Sequence, residues 1–222
     1  MPARKDGKET RRRILEVACE VFSQKGFHDA THAEICRLSK VNPAAINYHF
    51  RNKETLYAEA WKMAFQNSLK LYPPGSGVPA DAPPETRLRG RILSLVRRAY
   101  DPACREFDLL HKEMSNPTGL LDEPMREVLT PLQQNMMAVI RELLGTQASD
   151  TDVALCAMSI LAQCFHHLRH RRHRVITPVD QHIVEIKPDV LADHITAFSL
   201  AGIYELRRRT LASSQLSNTH QS

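Results

Sequence analysis

Apolar residues recur every three to four positions along most of the chain and nowhere alternate as a half-buried strand requires, so the pattern predicts an all-helical protein. Ile14, Ala18, Val21 and Phe22, with Leu15 beside them, form the first stripe. Asp6 and Glu9 read as a capping box for that helix, after a loose basic arm over residues 1–8. Gly26 reads as its stop, and Phe27 is expected to fold back on the last turn. Two short helices and a tight turn are then expected in THAEICRLSKVNPAAINYHF, residues 31–50. Thr31 and Glu34 make a capping box, with Ile35 and Leu38 facing inward. Val41 is the apolar residue inside the turn. Asn42 caps the second helix and Pro43 occupies its first turn, where a missing N–H costs nothing. That helix should bury Ile46 and present Ala44, Ala45, Asn47 and Tyr48 outward. Asn52 caps a longer helix over 53–71, with Leu56, Ala60, Met63 and Ala64 on one side and Tyr57, Trp61 and Phe65 on another.

The stretch YPPGSGVPADAPPE, residues 72–85, cannot continue a helix and reads as a surface connector. Helical spacing resumes over 87–100 (Leu88, Ile92, Leu95, Val96) and over 103–115 (Phe107, Leu110, Met114). A helix over 121–144 carries Met125, Val128, Leu132, Met136, Val139, Ile140 and Leu143, with Pro131 expected to kink it and Gly145 to stop it. The next helix starts at Ser149 or Asp150 and ends near His170. The last runs from Pro188 to about Leu211 with Leu191, Ile195, Phe198, Leu200, Ile203 and Leu206, before a polar tail expected to be disordered.

Composition narrows the class without deciding it. The chain has 222 residues, 42% of them apolar, which is enough for a substantial core. A net charge of +5 suits a polyanionic partner. Five cysteines (19, 36, 104, 156, 164), with no CxxC pair and no signal peptide, read as reduced thiols of a cytoplasmic protein. No apolar run is long enough to span a bilayer.

Small residues on the second short helix let it sink into a major groove, while Asn, Tyr and His supply hydrogen bonds to bases or phosphates. The candidate DNA contacts are Thr31, His32, Asn42, Pro43, Ala44, Ala45, Asn47, Tyr48, His49 and Lys53. At least one of Arg11, Arg12 and Arg13 should reach a phosphate; a solvated face is the plainer alternative. Thr31, Ile35, Val41, Ile46, Tyr48, Phe50, Lys53, Glu54 and Leu56 together resemble the DNA-binding head of the TetR family of transcriptional regulators. Two residues depart from that pattern. Lys40 stands where the family usually has Gly, which predicts a turn lacking its customary left-handed residue. Pro43 replaces a common polar residue and removes one possible contact.

KEMSNPTGLLDEPMREVLTPL, VIRELLG and ALCAMSILAQCFHH resemble the effector domain of the CecR-like branch of that family, at Glu113-Met114, Asn116-Pro117-Thr118 and Ser159 to Gln163. The resemblance implies about nine helices. A DNA-binding domain over residues 7–68 would precede a ligand-binding and dimerisation domain over 86–212, whose last two helices pair with their copies in a four-helix bundle. It implies a homodimeric repressor that leaves a palindromic double-stranded operator when a small-molecule effector binds. The expected effector pocket is walled by Phe107, Leu110, Met114, Val128, Met136 and Ile160, with Gln163 and His167 as polar groups. Cys156, Ile160, Gln163 and His167 share one helical stripe, and the dimer interface is the favoured place for at least one of the last two.

No Walker loop, GxGxxG, GxSxG or HExxH occurs, so an enzyme lacks its common signatures and no cofactor is expected. The histidines at 166, 167, 170 and 173 have metal-ligand spacing, but Arg169, Arg171, Arg172 and Arg174 would repel a cation. A solvated basic helix end is the expected reading. The competing classes are a helical enzyme and a scaffold whose helical hairpin is only structural.

Overall fold

The computed structural model describes residues 3–172 and 186–219, with side chains over 7–166 and 186–213. Among them there are only helices: α1 (Ala3–Asp29), α2 (His32–Ser39), α3 (Pro43–Phe50), α4 (Lys53–Leu71), α5 (Pro84–Tyr100), α6 (Glu106–Ser115), α7 (Asp122–Leu144), α8 (Asp150–Arg172) and α9 (Pro188–Thr219). The all-α reading holds, with nine helices among the described residues.

The chain forms two compact units. The first joins Met1–Leu71 with Pro102–Leu129, so α6 and the first turns of α7 group with the N-terminal helices. Helix α1 is its centre and packs on α2, α3, α4 and α6. Ile14, Ala18 and Phe22 are fully buried, as their spacing predicts. The helix reaches back to Ala3, so Asp6 is not its cap: no proline interrupts residues 3–9, and Gly7 costs only about 1 kcal/mol. Gly26, at φ 81 and ψ 178, breaks the helix as expected. Phe27 turns back so that its ring stacks on Phe22 at 6.3 Å.

The second unit, Tyr72–Asp101 with Thr130–Ser222, is built on Leu88, Ile92 and Val96 of α5, Met136, Val139 and Ile140 of α7, Val153, Ile160 and Cys164 of α8, and Ala192, Ile195 and Ile203 of α9. Ser149 and Asp152 close a reciprocal capping box at the start of α8: the Ser149 N–H donates to the Asp152 carboxylate at 3.0 Å and the Asp152 N–H to the Ser149 hydroxyl at 3.1 Å. The connector after α4 lies against α5, where a Cβ on Gly90 would stand 2.3 Å from the Gly75 carbonyl oxygen. Helix α9 continues to Thr219 rather than stopping near Leu211, because residues 212–219 contain neither Gly nor Pro.

Several apolar residues expected inside face out. Leu38 is 44% exposed, and Cys36 and Ser39 are buried beside Ile35 in its place. Met114, Phe198 and Leu206 are also exposed.

Candidate nucleic-acid interface

The turn between α2 and α3 is held at both ends by its own side chains. Thr31 Oγ1 accepts the Glu34 N–H at 3.2 Å, and Asn42 Oδ1 accepts the Ala45 N–H at 2.9 Å. The box at Thr31 is only half formed, because the Glu34 carboxylate is taken by Lys25 Nζ at 2.7 Å. Between the caps, Lys40 adopts φ 54 and ψ 44. The turn therefore keeps the left-handed residue that the sequence was expected to lack, with a Cβ where glycine would have none. The Val41 N–H then reaches the Cys36 carbonyl at 3.1 Å.

This geometry pins α3 by Ile46 and Phe50, both 1% exposed, and leaves the opposite face open. Pro43, Ala44, Asn47 and Tyr48 are exposed, Tyr48 at 84%, while Ala45 and His49 are partly so. A solvent-facing tyrosine beside an asparagine and two small residues is a poor surface for water and a good one for a groove. Asn42 is exposed with its amide oxygen committed to the cap. His32, at the start of α2, has Nε2 buried with no partner.

The cations around α3 divide into two groups. Arg13, Arg37, Lys40 and Arg51 are exposed. Arg11 is committed within the fold: it pairs with Glu59 and lies 5.0 Å over the Phe50 ring. Arg12 is bracketed by Glu9 and Glu16. Lys53 is also partly engaged, with Nζ 4.5 Å from the centre of the Phe27 ring and donating to the His28 carbonyl at 3.4 Å. Burial, ahead of the opposing pull of Glu54 and Asp29, lowers the Lys53 ammonium from its ordinary range. Asn52 caps α4 through the Thr55 N–H at 2.9 Å.

Sequence reasoning did not single out Glu113 as a polar partner of α4. Its carboxylate accepts the Tyr57 hydroxyl at 3.0 Å, the Thr118 N–H at 2.8 Å and the Gly119 N–H at 2.9 Å. The signal available was the tyrosine itself, whose hydroxyl in a buried stripe requires a partner. Burial, then the neighbouring Glu113 charge, raises the Tyr57 phenol and keeps it a donor.

The residues expected to wall an effector pocket divide between the units. In the first, Phe107 is buried, Leu110 and Val128 are half-buried, and Met114 is 73% exposed. In the second, Met136 and Ile160 are core residues. Gln163 lines a groove of about 460 Å³ with Ala162, His166, Ile186, Leu191, His194 and Ile195. Its amide donates to the Ser159 carbonyl at 3.2 Å, so its own helix supplies part of what the stripe demanded. The His167 side chain and the rest of the 167–173 histidine set lie outside the described residues. Among the described side chains no three groups gather as metal ligands.

The comparisons with known proteins agree with this geometry. Residues 14–60 match the family described as bacterial regulatory proteins, tetR family. Residues 84–203, more than half of the chain, match the C-terminal domain of the HTH-type transcriptional dual regulator CecR. The HTH-type transcriptional regulator UidR of Escherichia coli K12 is 41% identical over 114 residues, which is 50% of this chain and 56% of that protein. AcrR of Shigella flexneri, also an HTH-type transcriptional regulator, is 36% identical over 68 residues, 31% of this chain and 32% of AcrR. The matches thus span about a third to just over half the length of these relatives. Among solved structures, a transcriptional regulator of Pseudomonas aeruginosa PAO1 superposes with a TM-score of 0.70 at 15% identity, covering 91% of this chain and 94% of that one. A TetR-like regulator from Rhodococcus sp. RHA1 gives 0.62 at 16% identity over 88% and 96%. The relatives are regulators rather than enzymes, and the chain belongs to the TetR family of DNA-binding transcriptional regulators, with a C-terminal domain of the CecR type.

Proposed function

We propose that the protein is a homodimeric repressor of a palindromic operator, released when a small-molecule effector binds. The observation that carries the dimer is the row of large apolar residues left in solvent on α8 and α9. Leu155 and Met158 on α8, and Val190, Phe198, Tyr204 and Leu211 on α9, are all exposed. A lone chain gains nothing from that face, whereas a second copy would bury it in a self-complementary contact. A two-fold dimer presents two α3 helices about 34–36 Å apart, one turn of B-DNA, or at a multiple of it. In this reading Asn47 reads a base edge, with Ala44, Ala45 and Pro43 allowing close approach. Tyr48, His49, Lys53 and the N-terminal turns marked by Thr31, His32 and Asn42 hold phosphates. The work is done in the cytoplasm, where operator DNA is found. No helix among the described residues is long and apolar enough to cross a membrane.

Effector recognition is assigned to the second unit. There Gln163 opens onto the groove between α8 and α9 with mainly apolar neighbours, which suits an apolar molecule oriented by a few hydrogen bonds. The test pairs sedimentation with gel shifts. Wild type should sediment as a dimer and Phe198→Glu as a monomer that no longer shifts a selected operator fragment. Wild-type affinity should fall steeply between about 50 and 200 mM salt while the preference for that fragment persists. A dimer that tolerates Phe198→Glu would remove the assigned interface.

A further inference from the structure

Helix α6 and the turn behind it carry a buried polar junction that belongs to none of the DNA contacts described above. Glu113, 8% exposed, is its centre. The Glu113 Oε1 atom accepts the Thr118 N–H at 2.8 Å, the Gly119 N–H at 2.9 Å and the Thr118 hydroxyl at 2.9 Å. Glu113 Oε2 lies 3.0 Å from that same hydroxyl and 3.0 Å from the hydroxyl of Tyr57 on α4. Thr118 Oγ1 in turn accepts the Leu120 N–H at 3.1 Å, which completes the turn leading into α7. One carboxylate on α6 therefore holds both α4 and the turn over residues 116–119. Charge-assisted bonds of this kind are the strong ones, and a buried carboxylate cannot lose one donor without seeking another.

Tyr57 carries the link toward the reading head. Its ring meets Phe22 edge-on at 4.9 Å and Phe27 at 5.3 Å. Phe27 is the ring under Lys53, at the first residue of α4, immediately after α3. A second tie lies at the other end of α4, where the Ser68 hydroxyl donates to Glu106, itself 3% exposed. Helix α6 thus grips α4 near both ends through buried carboxylates, and the Glu113 grip is shared with the turn.

We propose that Glu113 is a positioning residue for operator binding: it joins Tyr57 to the turn at 116–119, so that the setting of this turn fixes α4 and, through Phe27 and Lys53, the pose of α3. The Thr118 hydroxyl is bonded to Glu113 rather than to a residue of α3, and by this device it influences DNA reading. Tyr57 and Thr118 meet through the Glu113 carboxylate, so their effects on the operator are coupled.

The experiment uses the full chain, a duplex selected by the wild-type protein from a random pool, and a scrambled duplex of equal length. Thr118→Val should weaken the selected duplex by about fivefold or more while leaving the scrambled one within about twofold. Thr118→Ser, which restores the hydroxyl, should recover wild-type affinity. Tyr57→Phe should weaken the selected duplex as well, and the double variant should lose less than the product of the two single losses. Circular dichroism at the assay temperature shows that each protein is folded. Glu113→Ala, which removes every acceptor at once, can unfold the unit and is therefore not the deciding variant. Wild-type affinity in folded Thr118→Val, equal weakening of both duplexes, or a double variant with fully multiplied losses overturns the proposal. A lowered melting temperature with an unchanged selected-to-scrambled ratio also overturns it, since the junction would then serve stability alone.

Discussion

Replacing Lys40 with glycine should stabilise the protein, although it removes a side chain and shortens no loop. Lys40 sits at φ 54 and ψ 44, a region in which a Cβ crowds the following carbonyl at a cost of roughly 1–2 kcal/mol. Glycine escapes that crowding but gives up about 0.5–1 kcal/mol through the greater freedom of the unfolded chain. The difference leaves Lys40→Gly more stable by about 0.5–1 kcal/mol. For a chain of this size that is a rise of about 1–4 °C in melting temperature. Lys40→Ala is the necessary companion, because it removes the same charge and keeps the Cβ. Its melting temperature should stay at or near wild type, within about 0.5 kcal/mol for a surface substitution. Thermal and urea melts, followed by far-ultraviolet circular dichroism at fixed protein concentration, provide the comparison. If Lys40→Gly melts at or below Lys40→Ala, the left-handed backbone is not under strain and the reasoning fails. DNA affinity should not separate the two variants, since both lose the same exposed ammonium.

Asn47→Ala should cost roughly 1–3 kcal/mol of discrimination at one base pair of the operator, read as a flattened preference among single-base operator variants. Lys53→Ala should weaken every duplex by removing a phosphate contact, weaken the selected one further because Lys53 also helps set the pose of α3, and lower the melting temperature by baring the Phe27 ring; an unweakened scrambled duplex would count against a phosphate role. Gly90→Ala should destabilise by about 1–3 kcal/mol in urea melts, since its Cβ would meet the Gly75 carbonyl oxygen at 2.3 Å; an unchanged midpoint would mean that the connector moves freely aside. The raised Tyr57 phenol gives a pH prediction. Its neutral form is favoured in the fold, so its contribution is complete below the unfolded tyrosine value of about 10 and is lost as pH climbs toward the higher folded value. Alkaline titration at 295 nm of wild type and Tyr57→Phe should differ by one tyrosine that ionises only with unfolding.

The existence and order of the helices were legible because their signals are local. Asn42, Pro43 and Asn52 mark helix starts by chemistry that needs no distant partner, and each occupies the position its side chain predicts. What a helix does with its apolar residues is less local. Helix α2 has eight residues, so Ile35 and either Leu38 or Cys36 could define its inner side, and the packing of α1 decided for Cys36. Phe198 shows a different ambiguity. Periodicity marks it as apolar on a helix whose Ile195 and Ile203 are core, but not whether a second apolar face belongs to this chain or to a partner. One residue expected in the effector pocket departs for a related reason: Met114 follows the 3.6-residue spacing of Phe107 and Leu110 and still ends in solvent, one residue before the helix stops.

Polar residues inside apolar stripes are where the sequence carries more than periodicity reads from it. Gln163 and Tyr57 both broke an apolar pattern, and both have since found partners, but of opposite kinds. The Gln163 amide bonds to the carbonyl one turn back on its own helix, a local solution that leaves its carbonyl end available to the groove. The Tyr57 hydroxyl has no such recourse, because a phenol reaches too far from its own backbone to bond a neighbouring turn. It is bonded instead to Glu113, 56 residues away in the sequence. A short polar side chain in a helical stripe can thus be satisfied at home, whereas a buried tyrosine announces a long-range contact whose acceptor must be sought elsewhere in the chain. In this protein that search ends at the Glu113 carboxylate beside Asn116-Pro117-Thr118, so a stretch that the sequence offers as a family resemblance also supplies donors to the group that holds the helix after the reading head.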